Sequence, residues 1–252
     1  MQLHEQYRPR TWDDVAGQNE AVAAIKRVLA RGWGGRAWWI TGASGTGKTT
    51  LAKLIAAEGA SDFSTEEQDA GTLTPARLRD IERQYCCRPL PVDGKAGWAI
   101  VVNECHKLRR DTVTALLDTL ERLPEYAVWV FTTTKQGQTS LFEDDRDGDC
   151  APLVSRCIDL ELESGPGTLQ ALAKRAKAVG MAAGCDGLPE SVYVAALENC
   201  KGNLRLLLGQ VESGQLAKRA RQEWTRYLSQ PIASQDPARR AAYQEHLAAL
   251  KG

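Results

Sequence analysis

Eight residues constrain this chain more than any others: GASGTGKT, Gly42 to Thr49. They satisfy the pattern G-x-x-x-x-G-K-[ST], which becomes specific when a strand precedes it and a helix follows. Ala37 to Thr41 (AWWIT) reads as a short apolar strand and Thr49 to Glu58 as a helix, so the motif is the loop of a strand–loop–helix unit. Such a loop turns the backbone N–H groups of Gly42, Ala43, Ser44, Gly45, Thr46 and Gly47 around phosphate oxygens. The helix N-terminus at Lys48, Thr49 and Thr50 adds positive potential. Lys48 is expected to reach β- and γ-phosphate oxygens, and the Thr49 hydroxyl to ligate magnesium.

A loop of this kind needs a parallel sheet behind it, and the chain supplies further strands. Trp98 to Asn103 and Ala127 to Phe131 are continuously apolar, as parallel strands buried on both faces are. Asp159 to Glu163 is a last short candidate. Between them Asn19 to Arg31, Leu78 to Tyr85 and Asp111 to Leu123 carry helical spacing, so strand and helix alternate and an α/β sheet flanked by helices follows. After Ser164-Gly165-Pro166-Gly167 the strands stop. Leu169 to Val179, Ser191 to Asn199, Asn203 to Arg221 and Pro237 to Leu250 are periodic helices, which gives an expected α/β domain over residues 1–164, a small helical domain over 165–221 and a helical extension over 222–252.

Composition excludes several classes. No run approaches the roughly eighteen consecutive apolar residues of a membrane span, and MQLHEQYRPR lacks the apolar stretch of a signal peptide, so a soluble, intracellular protein is expected. Seven cysteines without a C-x-x-C pair indicate neither a disulfide framework nor a zinc knuckle. Net charge is zero, but from Pro166 onward twelve Lys/Arg stand against seven Asp/Glu, with twenty against twenty-five before it. That asymmetry permits a phosphate-backbone surface and equally suits a solvated helical face.

The second strand ends in AIVVNECHKL, and a parallel sheet delivers the residues at its carboxyl edge to the phosphate crevice. Glu104 is positioned there as general base for an attacking water. Asn103 stands where a metal-side carboxylate is the usual choice. Its amide oxygen can accept a hydrogen bond from a metal-bound water but brings no charge, so slow hydrolysis or weak magnesium binding is expected, and Asn103→Asp is expected to raise one or the other.

With these motifs in order, the chain resembles the AAA+ clamp-loader subunits: the replication factor C small subunits and the γ/τ subunit of bacterial DNA polymerase III. YRPRTWDDVAGQ (Tyr7 to Gln18) is similar to their adenine-side motif, GASGTGKTT to their Walker A and NECHKL to their Walker B. ALLDTLERLPEYAVWVFTTT resembles the following helix and sensor-1 strand, LVSRCIDLEL holds their S-R-C arginine-finger motif, and GNLRLLL resembles sensor 2. The zinc insertion of the bacterial subunits is missing between the two Walker motifs.

The resemblance implies an AAA+ core with a helical lid, ATP and Mg2+ as cofactors, and an oligomer of AAA+ subunits, homomeric or heteromeric, acting on DNA. Tyr7, Arg8, Pro9, Val15 and Gly17 would line the adenine side, and Thr133 would be sensor 1, with Thr132 and Thr134 as neighbouring alternatives. Arg156 would reach a neighbour's nucleotide, and Arg205 would contact phosphates from the lid. In the connector before S-R-C, Gln138-Thr-Ser-Leu-Phe142 resembles the peptide that docks on the β sliding clamp, with Leu141 and Phe142 as apolar anchors and Gln138 as register group. Two other readings share these residues: a scaffold that binds ATP without hydrolysing it while lending Arg156 to a neighbour, and a helicase loader.

Overall fold

A computed structural model describes residues 2–134, 150–185, 187–232 and 235–249. It divides into two compact units, Pro9–Ser164 and a second formed by Met1–Arg8 with Gly165–Gly252.

The first unit is built on a parallel sheet of five strands: β1 (Arg36–Thr41), β2 (Ala60–Asp69), β3 (Gly97–Asn103), β4 (Ala127–Thr133) and β5 (Ile158–Glu161). Their order is β2-β3-β4-β1-β5. The motif strand β1 therefore lies between β4 and β5, in register Thr41 to Thr133 on one side and Thr41 to Glu161 on the other. Alternate residues serve opposite faces. Trp39, Ile100, Val102, Trp129 and Phe131 face one core, which Leu78, Ile81, Val113 and Leu116 complete. Trp38, Ile40, Ala99, Val101, Val128 and Val130 face the other, with Ile25, Leu51, Ala52 and Ile55.

Four helices supply those partners. Helix α2 (Asn19–Leu29) follows the short α1 (Leu3–Gln6), which belongs to the second unit, and α3 (Lys48–Ala57) springs directly from the glycine loop. Helix α4 (Pro75–Gln84) starts where Thr74 caps the Arg77 N–H and Pro75 takes a first-turn position; it precedes α5 (Arg110–Glu121). A single turn, α6 (Ala151–Val154), leads into β5. All seven cysteines are free thiols.

Strand β2 is the element that periodicity does not announce. ASDFSTEEQD is polar, Phe63 is 90% exposed, and the pairing with β3 shifts register between Ala60 and Thr65. An edge strand needs only one hydrogen-bonded neighbour and one covered face, so a polar sequence suffices. Between β2 and β3 the Trp33 ring lies across Gly59 and Gly97, where a Cβ at either position would overlap it, and its Nε1 donates to the Ile55 carbonyl at 2.6 Å. Gly97→Ala is expected to lower stability by about 1–3 kcal/mol through overpacking. Urea unfolding should show a lower midpoint at unchanged slope.

The second unit is helical: α7 (Pro166–Ala182), α8 (Glu190–Asn199), α9 (Leu204–Glu212), α10 (Gln215–Leu228) and α11 (Pro237–Ala249). Helix α1 packs on α9, and the Leu3 N–H donates to Glu212 Oε2 at 3.3 Å. The single helix expected over Asn203 to Arg221 is two, because Gly214 adopts φ 67° and caps the start of α10. Helix α10 then runs unbroken through residues 221 and 222. It pairs with α11 through Trp224, whose ring centroid lies 5.6 Å from Tyr243 and 5.2 Å from His246.

Candidate active site

The loop from Gly42 to Gly47 is shaped by two glycines in the left-handed region, Gly45 (φ 78°) and Gly47 (φ 102°). Thr46, 4% exposed, closes the turn by donating to the Ala43 carbonyl at 2.8 Å. A Cβ on Gly47 would meet nothing within 4 Å, so the turn opens in front of the α3 N-terminus. Lys48 Nζ donates to the Gly42 and Ala43 carbonyls at 3.1 and 2.8 Å, which holds the buried ammonium against the loop it must serve. This donor set and curvature fit a phosphate group.

Thr49 reaches across to the next motif. Its Oγ1 donates to Asn103 Oδ1 at 3.1 Å, and Thr132 Oγ1 donates to the same oxygen at 2.9 Å. Asn103 Nδ2 in turn donates to Glu67 Oε1 at 2.7 Å, and Lys53 Nζ pairs with Glu67 Oε2 at 2.8 Å. The glycine loop's helix and the ends of β3, β4 and β2 are thus joined through one amide. Thr132 makes this contact, one position before the expected Thr133, whose hydroxyl donates to the Thr134 carbonyl at 3.5 Å. Consecutive strand residues point to opposite faces, so a single position decides which hydroxyl arrives.

Glu104 follows at φ 58°, a left-handed conformation rare outside glycine, at the head of the turn Cys105–Lys107. Its carboxylate is 45% exposed, with His106 Nε2 at 3.4 Å from Oε2. Asp69, paired with Asn103 in the β2–β3 ladder, is engaged elsewhere: the Gly71 N–H, and beyond it Lys107, hold its carboxyl below the usual carboxylate range. Thr50 lies half-buried in the first turn of α3. The oxygen donors of Thr49 and Asn103, beside a lysine and a ring of backbone N–H groups, fit a magnesium nucleotide.

Arg156, just after α6, donates through Nε and Nη2 to Glu121 Oε1 at 3.1 and 2.6 Å and through Nη1 to the Pro152 carbonyl at 3.0 Å. Val15 lines a cavity of about 360 Å³ with Trp12, Asn19 and Val22. Gly17 adopts φ 74°, and Gln18 beside it is buried, bonding both the N–H and the carbonyl of Glu163 at 3.1 and 3.0 Å. Pro9 belongs to the sheet unit. Tyr7 and Arg8 belong to the helical one, where the Tyr7 carbonyl accepts from Arg175 and Arg8 pairs with Glu5. Arg205 is exposed in the first turn of α9, whose N-cap is Asn203. Gln138, Leu141 and Phe142 lie outside the described residues.

A five-stranded parallel sheet in this order, with the glycine loop after β1 and Asn103-Glu104 at the end of β3, together with a second, helical unit, is the P-loop core and helical region of an AAA+ ATPase fold. Comparison with known proteins gives the particular relatives. No protein-family model matches the chain. By sequence it is similar to DNA polymerase III subunit gamma of Buchnera aphidicola, 28% identical over 187 residues, 64% of this chain and 47% of that protein. It is also similar to DNA polymerase III subunit tau of Escherichia coli, 27% identical over 188 residues, 64% of this chain and 27% of that one. The chain therefore spans about half the length of the first relative. By fold it is similar to a mutant RuvB of Thermotoga maritima, at TM-score 0.62 and 20% identity, covering 87% of this chain and 67% of that one. By sequence the chain is similar to gamma and tau subunits of DNA polymerase III, and its fold is that of AAA+ proteins.

Proposed function

We propose that this chain is an ATP-binding and ATP-hydrolysing subunit of a clamp-loader-like assembly. In this reading it joins other AAA+ subunits in a ring or spiral and places a sliding clamp on DNA during replication. The observation that supports the reading best is the network through which Thr49 and Thr132 meet on Asn103, with Lys48 and Glu104 flanking it at one sheet edge. Thr49 and the Asn103 amide oxygen would hold magnesium, which when bound neutralises charge developing on the phosphates. Lys48 binds β- and γ-oxygens, Glu104 takes the proton of the attacking water, and Thr132 fixes the amide between them. Arg156 serves the site of the adjoining subunit. Gln138, Leu141 and Phe142 would dock on the clamp.

Phosphate release from ATP and Mg2+ by the purified chain, alone and with primed DNA and a bacterial β clamp, tests this. Clamp and primed DNA together are expected to stimulate release by about tenfold, the scale of a typical allosteric coupling. Background release under every condition overturns the enzyme reading and leaves the scaffold, which the uncharged Asn103 favours. Stimulation that survives removal of Leu141 and Phe142 overturns the docking role of that segment.

A further inference from the structure

The Walker B amide is one half of a matched pair. A carboxylate can only accept hydrogen bonds, so the contact to Glu67 at 2.7 Å fixes Nδ2 on that side of Asn103 and turns Oδ1 toward Thr49 and Thr132. The charge missing from the end of β3 stands one strand over, on β2. The other carboxylates toward that strand end are occupied elsewhere, Glu66 by Arg77 and Gln68 and Asp69 by Gly71 and Lys107. Lys53, one turn beyond Thr49 on α3, clamps the second oxygen of Glu67 at 2.8 Å and closes a ring from the glycine loop's helix back to itself.

An aspartate at position 103 would face Glu67 across the same distance. Two carboxylates that close cannot both stay ionised in place; one takes a proton or swings away. We propose that Glu67 is the carboxylate that Walker B lacks: it orients Asn103 as the neutral ligand that would hold magnesium and, itself held by Lys53, keeps a negative charge beside that ligand. It is a positioning residue, and its role rests on the nucleotide-binding reading above. On this proposal Asn103→Asp brings no gain, in place of the gain expected from sequence, because the added carboxylate would face one already there.

Binding of a fluorescent methylanthraniloyl-ATP, titrated with Mg2+ and repeated in EDTA, reads this without turnover. Glu67→Gln keeps an acceptor for Asn103 Nδ2 and removes the charge. It is expected to raise the magnesium concentration at half-saturation by about fivefold or more while EDTA-phase nucleotide affinity stays within about twofold. Glu67→Asp, which keeps the charge, is expected to stay closer to the wild type. Asn103→Asp alone should give no gain, and the double variant Asn103→Asp with Glu67→Gln should return to the wild-type magnesium constant. A Glu67→Gln constant unchanged from wild type overturns the proposal, as does an Asn103→Asp that tightens magnesium with Glu67 intact. Wild type that binds no nucleotide with or without Mg2+ overturns the nucleotide-binding reading itself, which separates the two failures.

Discussion

Glu104→Gln is expected to lower steady-state ATP hydrolysis by about 10²–10⁴, the usual contribution of a positioned general base, and to leave nucleotide affinity within about twofold. The substitution is close to isosteric, and glutamine meets the same backbone demand at φ 58°. What it removes is the basic carboxylate that, in the proposed function, takes the water's proton. The half-exposed carboxylate, with His106 Nε2 at 3.4 Å, has room to turn toward a water held near the γ-phosphate. In the proposed function, binding in the glycine loop rests on Lys48, Thr49 and backbone N–H groups, none of which the change touches. Phosphate release and methylanthraniloyl-ATP binding, measured on the same preparations, separate the two effects. Equal background release from wild type and variant, with binding intact in both, would make the chain a scaffold.

What sequence makes legible here is local, and what it hides is cross-strand. The stretch from AWWIT through GASGTGKT reads as strand, loop and helix because each signal sits in one window: continuous apolar residues, glycines, then helical spacing. The structure places β1, the loop and α3 there. Strand β2 has no such window, since its ten residues are mostly polar and its strand character comes from pairing with β3. That is why Glu67 carries no sequence signal: its meaning is its distance from Asn103, 36 positions along the chain. That Thr132 and not Thr133 reaches Asn103 likewise follows from the side of the sheet on which each residue of β4 stands. Gly214 was visible as a glycine inside a periodic run, but only its positive φ shows that the run is two helices.

The second large effect belongs to Arg156. Arg156→Ala is expected to cut ATP hydrolysis of the assembled protein by about 10³–10⁵, the scale of an arginine supplied to a phosphoryl-transfer site, with nucleotide binding by the separate chain unchanged. In the structure the guanidinium is engaged by Glu121 through two nitrogens and by the Pro152 carbonyl, with 37% of the side chain still exposed. Exposed ion pairs of this kind contribute only ~0.2–1 kcal/mol. Exchanging Glu121 for a phosphate on an adjoining subunit therefore costs little, and the fork geometry that fits a carboxylate also fits phosphate oxygens. Glu121→Gln should accordingly change turnover by no more than about threefold. Mixing gives the sharper test. Arg156→Ala chains retain Lys48 and Glu104, and Lys48→Ala chains retain Arg156, so each alone is expected to be inactive. A mixture forms interfaces with one intact cradle facing one intact arginine, and hydrolysis should reappear in proportion to them. Full activity of Arg156→Ala alone, or a mixture no more active than its components, would show that this arginine serves no neighbouring site.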